Sequence, residues 1–145
     1  MPNTTNKEYS LQVAVCRYLN LKYPQLLFMS DTVASVKLTP AQGGRNAAIQ
    51  KRDFSCPDLI IFHPNEKYNG LFMELKISSP YNRDGSLRKQ KVTVKKGGIV
   101  VDEYDHLEEQ ARAMRMLRDR GYWADFVWSL DDAMRIIDKY MEGKL

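Results

Sequence analysis

The chain has 145 residues and a net charge of +4, which suits one domain with its own hydrophobic core and excludes a strongly acidic protein. No apolar run approaches the roughly 18 residues of a membrane span, and the polar N-terminal residues lack the apolar segment of a secretory signal. Cys16 and Cys56 form no CxxC pair and are predicted to be reduced thiols in the core, which favours a cytoplasmic location.

The first predicted element is a helix over residues 6–21, in which apolar side chains recur on one face at helical spacing. Thr5 with Glu8 three residues later is typical of a capping box, and Pro24 follows the end of the helix. A short buried strand is predicted over residues 26–29. Farther along, Pro40 and the glycine pair at 43–44 indicate turns, and residues 47–49 are predicted to form a short helix.

The clearest prediction is a β-hairpin made of residues 59–62 and 71–76. Both runs are apolar, and turn-forming residues separate them, so we expect a strand pair buried on both faces in the middle of a sheet. If Phe62 pairs with Gly70, Asp58 lies opposite Glu74 at the far end of the hairpin.

The second half of the chain predicts two helices and at least one more strand. Residues 80–101 are expected to form a smaller hairpin that turns at Asp84–Gly85. A helix over 107–120, a strand over 122–128 and an amphipathic helix beginning after Ser129 follow. This order predicts a single α/β domain, with a sheet that carries helices on its faces.

Three polar residues interrupt the apolar hairpin: Asp58, Glu74 and Lys76. Glu74 and Lys76 are two apart on a strand and therefore share a face. Two carboxylates close together repel each other, and a divalent cation with oxygen ligands, Mg²⁺ or Mn²⁺, would relieve that repulsion. The carbonyl of Leu75 is a further candidate ligand, and Lys76 could orient a water molecule or help to deprotonate it. The alternative is a structural salt bridge between Lys76 and one acid.

Basic residues are concentrated in two places that suit a phosphate backbone. Lys51 and Arg52 come just before Asp58, and they either contact DNA or remain solvated. A strip between residues 83 and 96 contains a single acid, Asp84, and could equally be a solvated loop. Its basic residues are Arg83, Arg88, Lys89, Lys91, Lys95 and Lys96.

Histidine and nucleophile chemistry is not indicated. His63 and His106 share no motif, so structural roles are predicted for both, and no serine or cysteine has a plausible base beside it.

Pro57-Asp58 followed by Glu74-Leu75-Lys76 resembles the PD-(D/E)XK nuclease motif. More narrowly, the chain resembles a stand-alone virus-type replication-repair nuclease (VRR-NUC) domain of the kind found in phages and prophages. Further matching positions, in the right order, are Glu8, Gln12, Gln110 and Gly121.

The resemblance implies a PD-(D/E)XK restriction-endonuclease-like core, with a mixed central sheet flanked by helices. The chain departs from compact members of the family in a longer stretch between Lys76 and Gln110, which contains a basic insert at about 80–101. The resemblance also implies metal binding by Asp58, Glu74 and Glu8, and a catalytic role for Lys76. Glu8 could instead only cap its helix, and Gln110 could either serve the site or bond the nearby backbone. Gln12 taken alone favours a surface position.

The implied function is a metal-dependent DNA endonuclease in a bacterial or phage-infected cell. The resemblance points to branched DNA, such as a four-way junction resolved by a homodimer. The alternatives are a nuclease for flaps, ends or restriction-like targets, and a catalytically silent DNA-binding module.

Overall fold

The computed structural model describes residues 4–31 and 36–145, with the backbone alone for residues 4 and 5. Within this part of the chain the fold is mixed α/β, with a four-stranded sheet and a separate two-stranded hairpin. The helices are α1 (Thr4–Lys22), α2 (Pro40–Ile49), α3 (His106–Arg118) and α4 (Leu130–Met141). The strands are β1 (Phe28–Ser30), β2 (Leu59–Ile61), β3 (Leu71–Leu75), β4 (Lys91–Lys96), β5 (Ile99–Asp105) and β6 (Trp123–Val127).

The main sheet has the strand order β1-β2-β3-β6. β1, β2 and β3 are antiparallel neighbours, whereas β6 runs parallel to β3. A parallel neighbour requires a crossover connection, and here β4, β5 and α3 supply it. The predicted mixed sheet with flanking helices is therefore confirmed.

The central hairpin has the register predicted from the sequence. Leu59 lies opposite Met73, and Ile61 lies opposite Leu71. Extended by one residue at each end, this register sets Phe62 opposite Gly70 and Asp58 opposite Glu74. Every residue of β2 is buried, as the uninterrupted apolar run predicts for a strand in the middle of a sheet.

Two helical layers cover the sheet. On one face α1 and α4 pack Val15, Leu19, Ile137 and Tyr140 against the odd-numbered residues of β2 and β3. On the other face, α3 packs Met114 and its neighbours against β6 and Phe72. Because side chains alternate along a strand, Glu74 shares the α3 face with Phe72.

Helix α2 corrects the prediction for residues 39–52. The expected turns at Pro40 and Gly43–Gly44, with a helix confined to 47–49, are wrong, because one helix spans Pro40–Ile49. Thr39 accepts from the N–H of Gln42 and the Gln42 side chain accepts from the Thr39 N–H, which completes a capping box. Proline is also favoured in the first turn of a helix. Pro40 and the capping box therefore offset the cost to helix stability of Gly43 and Gly44, which is roughly 1 kcal/mol for each glycine.

The helix starts elsewhere agree in part with the sequence. Ser129 caps α4 by accepting from the N–H of Asp132, as predicted. Asp105 caps α3, so that helix begins one residue earlier than expected. The capping box predicted at Thr5 involves a side chain outside the described residues.

The second hairpin also differs from its prediction. Asp84–Gly85 turns only a small loop, closed by one bridge between Tyr81 and Leu87. The main hairpin is β4–β5, which turns at Gly97–Gly98 and extends past residue 101 to Asp105. Both glycines have positive φ, 56° and 79°, the conformation that tight two-residue hairpin turns require.

The cysteines differ in their surroundings. Cys16 packs half-buried against the core, but Cys56 is exposed, so the prediction of a core thiol is wrong for Cys56. Both are free thiols. Among the helices of residues 4–31 and 36–145, none is both long and apolar enough to cross a membrane.

Asp138 links α4 to α1 and provides a stability test. Its carboxylate accepts hydrogen bonds from the Tyr18 hydroxyl at 2.5 Å, the Tyr23 hydroxyl at 2.6 Å and Lys22 Nζ at 2.9 Å. Burial opposes the charge, but these three bonds outweigh it and hold the pKa of Asp138 below its ordinary value. We expect Asp138→Asn to lower the free energy of unfolding by about 1–2 kcal/mol at pH 7.

The stability from a carboxylate with a lowered pKa is present above its unfolded pKa of about 3.9 and is lost as the pH falls through the folded pKa. Urea unfolding of both proteins from pH 7 down to pH 2 should therefore show the difference shrinking below about pH 4. A difference that stays constant with pH would contradict the assignment to this charge.

Candidate active site

Asp58, Glu74 and Lys76 meet where the central hairpin ends. Asp58 comes just before β2, Glu74 lies in β3, and Lys76 comes just after β3. The register sets Asp58 opposite Glu74, and Lys76 Nζ lies 3.4 Å from Glu74 Oε1. The predicted shared face of Glu74 and Lys76 is confirmed by this contact.

Hydrogen bonds hold both carboxylates in place. The N–H of Leu75 donates to Asp58 Oδ2 at 2.8 Å, and Gln110 Nε2 donates to Glu74 Oε1 at 2.6 Å. Glu74 is 4% exposed and Gln110 is 6% exposed, so both are buried between β3 and α3. The amide oxygen of Gln110 is buried and accepts no hydrogen bond from any residue in the described part of the chain.

The two carboxylates raise the cost of each other's charge. Burial first, and the neighbouring Asp58 second, raise the pKa of Glu74 well above its ordinary value, although Lys76 opposes the shift. Burial also raises the pKa of Asp58, against the Leu75 N–H and the charge of Lys76. The fold by itself therefore disfavours full ionisation of this pair, and an added positive charge would offset that cost.

The residues present fit a Mg²⁺ or Mn²⁺ ion. Mg²⁺ in proteins is held by one or two carboxylates and keeps several waters. Asp58 and Glu74 offer the carboxylates, and the unbonded amide oxygen of Gln110 offers an acceptor for one such water. Over residues 4–31 and 36–145 no group of three or more His, Cys, Asp or Glu side chains is placed to hold a metal ion, so the protein carboxylates offered are these two. The predicted ligand roles of Glu8 and of the Leu75 carbonyl stay predictions.

Glu8 reaches the site from the side of Lys76. Its exposed side chain lines a cavity of about 280 Å³ together with Lys76, Arg88 and Lys89. The charges of Lys76 and Glu8 also act on His106, whose pKa is lowered mainly by burial and then by Lys76. His106 therefore lies within electrostatic reach of the site, a placement that no local motif revealed.

Gln12 has a supporting contact that the sequence did not suggest. Gln12 is half-buried at the surface, and its side chain donates to the Ser30 hydroxyl and, at 2.9 Å, to the Asp31 carbonyl. The N–H of Asp31 in turn donates to the Asp58 carbonyl at 2.8 Å. Gln12 thus ties α1 to the end of β1 that supports Asp58.

Asp31 is a further acid near the pair, and its charge contributes to the raised pKa of Asp58. The signal that could have found it is the position of Ser30-Asp31 directly after an apolar run. In an antiparallel sheet the end of β1 lies beside the start of β2, which is where Asp58 stands.

The predicted DNA-binding residues fall into separate groups. Arg88 and Lys89 line the same cavity as Lys76. Lys51 and Arg52 are exposed beyond the end of α2. Lys91, Lys95 and Lys96 lie exposed on β4.

The structure shows that acidic residues lie beside the basic strip of residues 83–96. β5 brings Asp102, Glu103 and Asp105 beside β4, and Lys91 forms an ion pair with Glu103 at 2.6 Å. With Asp84, residues 80–105 therefore carry six basic against four acidic side chains. A count that ends at Lys96 overestimates the positive potential of this hairpin.

Comparison with known proteins supports the fold. No family model and no curated protein matches the sequence. A solved structure named "VRR_NUC domain protein" superimposes with a TM-score of 0.51 at 18% sequence identity, over 93% of this chain and 88% of the other. At this identity the likeness concerns the fold alone, and it agrees with the expected mixed central sheet flanked by helices.

Proposed function

We propose that this protein is a metal-dependent deoxyribonuclease that hydrolyses phosphodiester bonds in DNA at Asp58, Glu74 and Lys76. The observation that carries the proposal is the pair of carboxylates, buried Glu74 and half-buried Asp58, with an adjacent ammonium at one end of the sheet. A fold shared with a protein named for a VRR_NUC domain supports it. A silent DNA-binding module has no need of these acids, which repel phosphate.

Asp58 and Glu74 would hold the Mg²⁺ or Mn²⁺ ion. When bound, the cation supplies Lewis-acid activation of the phosphate and of a water molecule. The Leu75 N–H fixes one oxygen of Asp58, and Gln110 fixes one oxygen of Glu74, so both carboxylates are oriented before substrate arrives. Gln110 is in this sense a positioning residue.

Lys76 provides a positive charge that the reaction requires. Its side chain is 15% exposed and is held beside Glu74. An ammonium fixed at this place can neutralise charge that develops on the phosphate in the transition state. Glu8, in the same cavity as Lys76, is proposed to assist at the metal from the solvent side.

The finer proposal is selectivity for branched DNA, in particular four-way junctions, by a homodimer. Two active sites related by a two-fold axis would suit a substrate with similar symmetry. Flap, end or restriction-like cleavage is the competing outcome, since the fold alone does not define the substrate.

The test is cleavage of a labelled panel of duplex, single strand, flap and four-way junction. We expect cutting with Mg²⁺ or Mn²⁺, and little with Ca²⁺, whose looser coordination positions water poorly. Paired nicks in the junction, together with a dimer by light scattering, would support the finer proposal. Robust cutting in excess EDTA, or no cutting of any substrate with either metal, would contradict the nuclease assignment.

A further inference from the structure

Helix α2 contributes little to the core. None of its residues is buried, and a Cβ added at Gly43 or Gly44 would meet nothing within 4 Å. Helices in proteins are stabilised mainly by packing an apolar face, so a helix without one is retained for another reason. The capping box at Thr39 and Gln42 holds the helix in place without such packing.

The segment that contains α2 is strongly basic. Residues 36–52 carry Lys37, Arg45, Lys51 and Arg52 and no acid. Asp53 follows directly, so residues 36–53 carry four basic side chains against one acid. The segment therefore carries a net positive charge.

A cavity of about 420 Å³ lies between α2 and Asp58. This volume is within the roughly 300–1,000 Å³ typical of small-ligand sites. Asn46 and Gln50 line the helical side, with Gln50 Nε2 3.4 Å from Asn46 Oδ1. The opposite side is lined by Met29, Ile60, Asp31 and Asp58.

Away from Asp58 and its proposed metal ion, this lining offers no positive charge to a phosphate. Asp31 is acidic, and none of the four basic side chains of residues 36–52 lines the cavity. The side-chain amides of Asn46 and Gln50 can both donate and accept hydrogen bonds, and they lie beside the apolar Met29 and Ile60. This combination suits an uncharged nucleobase. Asn and Gln pair with base edges in this way, and apolar side chains pack on base faces.

We infer that the cavity between α2 and Asp58 holds the base of an unpaired nucleotide next to the cleaved phosphate, while Arg45, Lys51 and Arg52 contact the backbone outside it. This assignment rests on the proposed nuclease function and narrows its substrate to DNA with an unpaired nucleotide at the cut. A paired base would first have to leave the stack, which costs a few kcal/mol, whereas an unpaired base enters without that cost.

The test combines Asn46→Ala/Gln50→Ala with abasic substrates. In a flap or junction, one abasic residue is placed in turn at each position around the mapped cut, and cleavage is measured in Mg²⁺. For the wild-type protein, we expect kcat/KM to be about tenfold lower when the abasic residue stands at one particular position than on intact DNA. The double variant should show the same decrease on intact DNA. An abasic residue at that position should not lower its kcat/KM further, because both changes remove the same interaction. Gln25→Ala, which removes an exposed amide that does not line the cavity, is the matched control and should behave as wild type.

Folding is not expected to confuse the result, because alanine favours helix more than asparagine does at position 46, and Gln50 is an exposed residue beyond the end of the helix. Fluorescence anisotropy in Ca²⁺ measures the affinity of the wild type and the double variant for the same oligonucleotides. This tests base binding in the cavity without cleavage. An abasic effect that is fully retained in the double variant, in cleavage or in binding, would overturn the inference while leaving the nuclease intact. Protein that cuts nothing in Mg²⁺ or Mn²⁺ contradicts the proposed function, and the binding arm then decides the cavity alone.

Discussion

Asp58→Asn, Glu74→Gln and Lys76→Ala are each expected to lower the rate of DNA cleavage roughly 1,000-fold or more. Each change removes one charge from the cluster at the end of the hairpin, where Lys76 and Glu74 lie 3.4 Å apart. Single-turnover cleavage at saturating Mg²⁺ measures the effect on the chemical step. Glu66→Gln, an exposed acid in the loop at the opposite end of the hairpin, is the matched control and should keep full activity.

The stability of Glu74→Gln separates an active site from a structural salt bridge. An acid with a raised folded pKa stabilises the protein below its unfolded pKa, about 4.3, and that contribution is lost as the pH rises through the folded value. In EDTA, the variant should therefore be more stable than wild type by on the order of 1 kcal/mol at pH 8, with a smaller gap at pH 5.

A structural ion pair between Lys76 and Glu74 predicts the reverse, a less stable variant with normal cleavage. Thermal unfolding at the two pH values, beside the cleavage rates, decides between the two interpretations. Mg²⁺ should raise the melting temperature of wild type, because a ligand that binds the folded state alone stabilises it, and should do so less for Asp58→Asn. Full activity in any two of the three variants would refute the assignment of the site.

Removing the basic residues of the insert is expected to weaken binding to all DNA shapes. With Arg88, Lys89, Lys91, Lys95 and Lys96 all changed to Gln, the dependence of log affinity on log salt should become shallower, by about 0.9 for each DNA phosphate that the variant no longer neutralises. Turnover at saturating DNA should change little. An unchanged salt slope would show that the strip is a solvated surface.

The structure divides this effect between two groups. Arg88 and Lys89 line the cavity beside Lys76, whereas Lys91 is ion-paired with Glu103. Arg88→Gln/Lys89→Gln should therefore reduce the slope of log affinity against log salt by close to 2. Changing Lys91, Lys95 and Lys96 to Gln should reduce that slope by clearly less than the loss of three phosphate contacts would. Equal effects per residue, or an affinity decrease confined to junctions, would contradict this division.

Some elements were determined by the sequence alone, because their signals are local. The apolar runs on either side of a turn predicted the register of β2 and β3, and with it the meeting of Asp58 and Glu74. Ser129 three residues before Asp132 predicted the start of α4. Both signals are read within a short segment, where alternation and capping depend on neighbouring residues.

Other features were decided by the tertiary structure. Gln110 meets Glu74 across 36 residues, because the crossover places α3 on the face of the sheet where Glu74 points. Gln12 and Asp31 support Asp58 through the pairing of β1 with β2. The acids of β5 reduce the charge of β4 because the hairpin turns at Gly97–Gly98 and not at Asp84–Gly85. These interactions depend on which distant segments become neighbours, and that is determined by burial in the whole fold rather than by local spacing.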